Sequence, residues 1–319
     1  MNREPLQATG NGHPEGKRQW SLDDVPDQAG RIAIVTGANT GLGYETALAL
    51  AGKGAYIILA CRSAEKAEAA RRRILECHPG AEIEVRVIDT GSMASVRRFA
   101  EAFQRDHGRL DLLVNNAGIM VTPHAVTEDG FEGQLAVNYL GHFLLTGLLL
   151  PTLAVTPGSR VVSLYSLAHR WGGIQFDDIL FTKKYDAGKA YYQSKMACLM
   201  FALELDRRLK SAGCGVLSMA AHPGVSKSDL GRHLAAPLRL LLALIGPLVL
   251  QPAARGALPT LCAALGDGLS GGETIGPSGR GQRKGPPAVV GVEPDAHDQK
   301  QRDRLWAMTE ELLGFKFEI

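Results

Sequence analysis

The chain has 319 residues, with 35 Lys and Arg against 33 Asp and Glu and a formal net charge of +2. That length can bury a substantial core as one domain, and the balanced charge carries no sign of a nucleic-acid or acidic partner. Five cysteines are scattered without a Cys-x-x-Cys pair, which suits reduced thiols in a cytoplasmic setting and offers no metal-ligand spacing.

Residues 1–19 are polar, rich in Gly, Pro, Asn and Glu, and lack an apolar stretch. Residues 1–27 are therefore expected as a flexible arm rather than a signal peptide. The apolar run Ile32-Ala33-Ile34-Val35 then stops at Thr36-Gly37-Ala38-Asn39-Thr40-Gly41-Leu42-Gly43, and a helix-forming segment, Tyr44 to Leu50, follows. Gly37 can take backbone angles a Cβ forbids, Gly41 lets the chain approach a ligand, and Gly43 leaves room for helix-on-strand packing. The helix start offers free N–H groups and a positive dipole end to a phosphate. Gly-x-x-x-Gly-x-Gly in a strand–turn–helix context is a dinucleotide signature.

Ala55 to Ala60 reads as the second strand and ends at Cys61-Arg62. NAD sites place an acidic residue here, about 20 residues past the glycines, for the ribose 2′-hydroxyl. Arg62, with Lys66 one helical turn on, suits a 2′-phosphate instead, so NADP(H) is the expected cofactor. Ile83 to Asp89 alternates as a third strand, a helix runs to about His107, and Leu110 to Val114 forms a fourth strand closed by Asn115-Asn116-Ala117-Gly118. Strands alternating with helices predict parallel βαβ units with right-handed crossovers.

Four motifs now stand in order: Thr36-Gly37-x-x-x-Gly41-x-Gly43, Asn115-Asn116-Ala117-Gly118, Tyr191-x-x-x-Lys195 and Pro223-Gly224. In these the chain resembles the short-chain dehydrogenases/reductases, from about Gln28 to Phe317. Ala60-Cys61-Arg62, Val137 to Phe143 and Ala190 to Lys195 resemble the retinol dehydrogenase and WW-domain oxidoreductase branch. Light-dependent protochlorophyllide reductase is a more distant relative of the same kind. Trp20 to Arg31 and Arg304 to Phe317 resemble bacterial members of unspecified substrate. The resemblance implies an α/β fold over residues 28–319: a single doubly wound Rossmann-type domain. Its parallel sheet would have about seven strands in the order 3-2-1-4-5-6-7, with helices on both faces. A substrate lid is expected over about 226–265 and an irregular loop over about 266–294, with Glu273 to Pro277 as the short last strand.

Transfer of a hydride between a nicotinamide and a carbonyl carbon needs a proton donor at the developing alkoxide. Tyr191 can supply it, although a free phenol titrates near pH ~10. Lys195 lies four positions on, hence on the same helix face, and its charge favours the phenolate. The resemblance gives the lysine a second role in holding the nicotinamide ribose. It also selects Ser166, at the end of Val161 to Ser166, as the hydroxyl that bonds the substrate oxygen, with Tyr165 replacing the usual preceding serine. Asn138 completes the catalytic set, its side chain interrupting a helix and holding a water that passes protons to the lysine. An Asn in an apolar helical stretch costs propensity and asks for such a reason. Cofactor contacts are expected from Gly37, Asn39, Thr40, Gly41, Leu42, Gly43, Arg62, Asp89, Asn116, Gly118, Tyr191, Lys195, Pro223, Gly224, Val225 and Ser228. His222, beside Pro223, has no evident partner for acid catalysis.

Ala235 to Leu250 is apolar but too short and interrupted for a membrane span, which needs about 20 residues. It reads as a greasy lid over a hydrophobic substrate, a core helix, or a shallow membrane contact. The expected function is NADP(H)-dependent oxidoreduction of an alcohol or carbonyl on a hydrophobic small molecule, without nucleic-acid partners and compatible with a homodimer. Double-bond reduction and a non-catalytic nucleotide-sensing scaffold remain alternatives.

Overall fold

The computed structural model describes residues 19–226 and 250–319. Ser228 and nearly all of the 235–250 run lie outside the described residues. In chain order the elements are β1 Ile32–Thr36, α1 Gly41–Gly52, β2 Tyr56–Cys61, α2 Ala64–Cys77, β3 Ile83–Val87, α3 Met93–Asp106 and β4 Leu112–Asn115. There follow α4 Gly133–Ala154, β5 Arg160–Leu164, α5 Ala187–Ser211, β6 Leu217–Ala221, α6 Ala253–Leu265, β7 Thr274–Pro277, β8 Pro287–Val289 and α7 Gln299–Leu313.

The strands form one sheet in the order β3-β2-β1-β4-β5-β6-β7-β8. Every described pairing is parallel except β7 with β8. The middle strands are apolar throughout, with Ile57, Ile58 and Leu59 all fully buried, because helices cover both faces. On one side Phe103 of α3, Phe143 of α4, Phe201 of α5 and Trp306 of α7 share a core. On the other, Ala47 and Leu50 of α1, Ile74 of α2 and Leu261 of α6 share a second. Chain order reverses between β1 and β4, where Val35 pairs with Val114. That reversal opens a crevice at the carboxyl ends of the strands, the ligand position of this fold class.

α4 shows why composition alone misleads. It is 22 residues long, with mean hydropathy 1.3 over its most apolar window, long and apolar enough to cross a membrane. That window is 78% buried inside the protein, so α4 is a core helix with apolar residues on all sides. Between Ala136 and Leu140 it widens into a π-turn, closed by the Gly141 N–H donating to the Ala136 carbonyl.

Three expectations need correction. The sheet has eight described strands rather than about seven, because Pro287–Val289 adds an antiparallel edge inside the segment read as an irregular loop. Pro is tolerated at such a strand start, which disguised it. Residues 253–265 of the expected lid are α6, packed on α1 and the sheet with Ala257, Leu261 and Ala263 buried. Residues 19–27 are docked rather than free: Val25 is buried, Trp20 and Leu22 pack on the second core, and Lys53 Nζ donates to the Val25 carbonyl at 2.8 Å.

Candidate active site

The crevice is lined from the glycine turn to the carboxyl ends of β2, β4 and β5 and the face of α5. At one end, Gly37 and Gly41 stand at φ +66° and +58°, the left-handed region that glycine enters without strain. α1 then starts at Gly41 with no acidic residue in its first turn, leaving its N–H groups and positive dipole end for a phosphate. Gly43 packs against this turn so tightly that a Cβ there would press on Asn116 Nδ2 and the Gly37 carbonyl.

β4 ends beside β1, and the two are stitched together. Thr36 Oγ1 accepts from the Asn116 and Ala117 N–H groups, each at 2.9 Å, and Asn116 Nδ2 donates to the Thr36 carbonyl at 2.6 Å. At the end of β2, Arg62 and Lys66 are exposed on the crevice rim, and Ser63 between them caps α2 by accepting from the Lys66 N–H at 3.3 Å. Cys61 is buried, and burial pushes its thiol up to about 11 despite N–H donors from Ala38 and Asn39. It is a packing residue, not a reactive thiol.

At the other end, α5 starts at the Asp186 cap, whose Oδ1 accepts from the Lys189 N–H at 2.9 Å. Helical spacing then puts Tyr191, Ser194 and Lys195 on one face. Tyr191 and Lys195 both reach the crevice with 5% of their surface exposed. Lys195 Nζ donates to the Leu164 carbonyl at 3.2 Å, which ties the ammonium to the end of β5. Two residues on, Ser166 caps a short helical turn, its Oγ accepting from the Ala168 N–H at 3.2 Å. Accepting there leaves the hydroxyl hydrogen free to donate into the crevice.

Asn138 sits in the π-turn behind Gly118, and a Cβ on Gly118 would lie 3.2 Å from its Oδ1. The amide is well used: Oδ1 accepts from the Ile119 N–H at 2.8 Å, and Nδ2 donates to the Ile119 carbonyl at 3.0 Å and Ser194 Oγ at 2.9 Å. Ser194 Oγ in turn donates to the Tyr191 carbonyl at 2.8 Å. The side chain braces the β4 loop against α5, with one lone pair of Oδ1 to spare.

Fourteen expected residues line the crevice: Gly37, Asn39, Thr40, Gly41, Leu42, Gly43, Arg62, Asp89, Asn116, Gly118, Ser166, Tyr191, Lys195 and Pro223. Gly224 and Val225 do not. The Gly224 N–H donates to His222 Nδ1 at 3.1 Å, the Val225 N–H to the Arg283 carbonyl at 2.9 Å, and the Val225 carbonyl accepts from the Gln251 N–H at 3.0 Å. His222 is buried, burial takes its pKa down to about 3, and its Nε2 lies 3.1 Å from Gln282 Oε1. It is a neutral brace for the Pro223 loop and no acid. Tyr165, in place of the usual serine, is packed edge-on between the His169 and His222 rings at 5.3 and 5.1 Å. Burial pushes its phenol up, so it stays protonated. Ser63, Thr90, Ile119 and Val137 also line the crevice. Each sits within a residue of an expected position or of Asn138, so adjacency to the expected residues was the available signal.

Comparison with known proteins agrees with this geometry. The family model described as short chain dehydrogenase matches residues 31–238. Human retinol dehydrogenase 12 is 42% identical over 291 residues, covering 91% of this chain and 88% of its own. Human retinol dehydrogenase 13 is 42% identical over 292 residues, covering 90% and 86%. Among solved structures, an uncharacterised protein from Mycobacterium Paratuberculosis superposes with TM-score 0.79 at 39% identity, over 95% of this chain and 100% of that one. The RhlG/NADP active-site complex of Pseudomonas aeruginosa superposes with TM-score 0.60 at 27% identity, over 78% and 94%. The chain therefore belongs to the short-chain dehydrogenases/reductases, in the retinol dehydrogenase branch, and is an oxidoreductase acting on CH–OH/C=O groups.

Proposed function

We propose that the chain is an NADP(H)-dependent alcohol/carbonyl oxidoreductase of lipophilic substrates, with Tyr191 as the proton-transfer group. The observation that carries this reading is the crevice itself, which has a phosphate-type glycine turn and two cations at one end and Tyr191, Lys195 and Ser166 at the other. The residues present fit a dinucleotide: a turn with two left-handed glycines, a helix start without acidic residues, and Gly118 without a Cβ above Asn138 and Lys195. Arg62 and Lys66 would hold a 2′-phosphate, Arg62 through its planar fork. NADP in the RhlG complex and in a Burkholderia cenocepacia J2315 dehydrogenase complex supports the same choice.

When bound, the nicotinamide supplies or takes up the hydride. This chain's part is proton handling and positioning. Ser166 donates to the substrate oxygen, Tyr191 gives that oxygen a proton in reduction and removes it in oxidation, and the Lys195 ammonium favours the phenolate. The names of the retinol dehydrogenase relatives and the apolar sequence Leu240 to Leu250 support a hydrophobic substrate. A cytoplasmic setting is part of the same reading.

Titrating both cofactors tests it. Arg62 is exposed, so the loss in Arg62→Ala should fall at the low end of the range for a charge-assisted contact, about 1.5 kcal/mol or roughly tenfold in NADPH affinity. NADH affinity should stay unchanged. Equal affinities in the wild type, or an unchanged ratio in the variant, would overturn the cofactor assignment.

A further inference from the structure

Behind the crevice, His142 lies on α4 one turn after Asn138, with 4% of its surface exposed. Its two ring nitrogens face two different parts of the site. Nδ1 is 2.9 Å from the Asn138 carbonyl oxygen, and Nε2 is 2.9 Å from Thr36 Oγ1. Counting hydrogens assigns the roles. A carbonyl only accepts, so Nδ1 carries the proton. Thr36 Oγ1 already accepts from the Asn116 and Ala117 N–H groups, so its own hydrogen must point elsewhere. His142 Nε2 at 2.9 Å is a better acceptor position than the Val114 carbonyl at 3.3 Å. The imidazole is then neutral, in the Nδ1–H form. Burial, with Lys195 nearby, takes its pKa down to about 4 against the pull of the Asn138 carbonyl, in keeping with that state.

The same carbonyl also accepts from Cys198 Sγ at 3.1 Å, and Cys198 follows Lys195 by one turn of α5. The end of β1, the loop after β4, the π-turn of α4 and the helix of the Tyr191–Lys195 pair are thus joined around one imidazole. An apolar side chain would fill this space without desolvating two polar atoms, whereas a buried imidazole is tolerated only with both nitrogens satisfied. The neighbourhood is tight as well: a Cβ on Gly141, the preceding residue, would run into the Thr90 backbone at the crevice rim.

We propose that His142 is a positioning residue that locks the Thr36–Asn116–Ala117 edge of the dinucleotide seat to the Asn138 turn beneath Lys195. Cofactor seat and proton-transfer pair then keep one relative geometry. The proposal rests on the reading of Tyr191 and Lys195 given above.

Its two halves can be separated. His142→Leu removes both bonds and should lower NADPH affinity and kcat each on the order of tenfold, the worth of one buried hydrogen bond. His142→Asn keeps a donor near the Nδ1 position and loses the acceptor, so kcat should recover toward wild type while NADPH affinity stays low. In the full-length wild type, NMR of isotope-labelled histidine should show His142 protonated at Nδ1 and bare at Nε2, and Thr36→Val should shift the Nε2 signal. An Nε2–H tautomer would overturn the proposal. So would His142→Leu variants that lose thermal stability but keep wild-type NADPH affinity and kcat per folded molecule. A wild type without turnover would instead defeat the reading of Tyr191, and the spectrum and the NADPH affinities would still decide the role of His142.

Discussion

Glu204, on α5, is the group whose removal the structure lets one reckon in most detail. Its carboxylate is 1% exposed and gathers donors from two helices: Arg207 Nη2 at 2.6 Å, Arg208 Nε at 2.7 Å, and Gln299 Nε2 of α7 at 2.9 Å. Burial alone would raise its pKa, but the bonds from Arg207, Gln299 and Arg208 outweigh it and hold the carboxyl at about 2 instead of near 4.5. A difference of that size corresponds to about 3 kcal/mol of preference for the ionised form in the folded protein. Arg207 and Arg208 are 44% and 32% exposed, so solvent screening reduces this to about 2 kcal/mol. The sign follows from the depressed folded value. The contribution is fully present above pH 4.5 and is lost as pH falls through about 2, with more than half gone by pH ~3. Urea unfolding of wild type and Glu204→Gln, followed through the fluorescence of Trp306 beside Arg208, should differ by about 2 kcal/mol at neutral pH. The gap should narrow steadily toward pH 3. A gap that stays constant over that range would refute the role given to the ionised carboxylate.

Two further substitutions probe other levels of the structure. Gly43→Ala would push a methyl onto Asn116 Nδ2 and the Gly37 carbonyl, so it should cost about 1–3 kcal/mol of stability and weaken NADPH binding about tenfold or more, by calorimetry. Phe317, buried between Phe143 and Trp306 at 5.1 and 4.9 Å and held by its N–H to Glu310 Oε1 at 3.0 Å, fastens the C-terminal tail over α4. Phe317→Ala should cost about 3 kcal/mol in urea unfolding while leaving the cofactor affinity unchanged.

Much of the site was legible because its residues have no cheaper explanation. Gly37 and Gly41 stand in left-handed conformations, and Arg62 ends a buried strand where a carboxylate would otherwise suit a ribose. Tyr191 and Lys195 are four apart on a helix whose register the apolar residues set. Other features depend on tertiary partners that no local pattern announces. β8 is a short strand with Pro at its start, and it pairs only because β7 presents an open edge. α6 fell inside the lid that the resemblance implied, but its buried residues Ala257, Leu261 and Ala263 pack on α1 and the sheet. The amide of Asn138 found Ile119 and Ser194, which are far apart in sequence from each other and from it. His142 lay within the Val137 to Phe143 stretch, but its partner Thr36 is more than a hundred positions away and no local pattern pairs them. Gly224 and Val225 carried the expected motif, yet the β7–β8 hairpin takes up the Val225 N–H through Arg283.

The most direct test of the central claim is a comparison of wild type and Tyr191→Phe for NADPH affinity and for NADPH consumption with a lipophilic aldehyde or ketone. Removing one hydroxyl from a buried ring that packs unchanged should leave cofactor binding as it was. Turnover should drop by about 10²–10⁴-fold, the usual worth of a positioned proton donor. Near-wild-type turnover in the variant would contradict the account, because another group would then be delivering the proton.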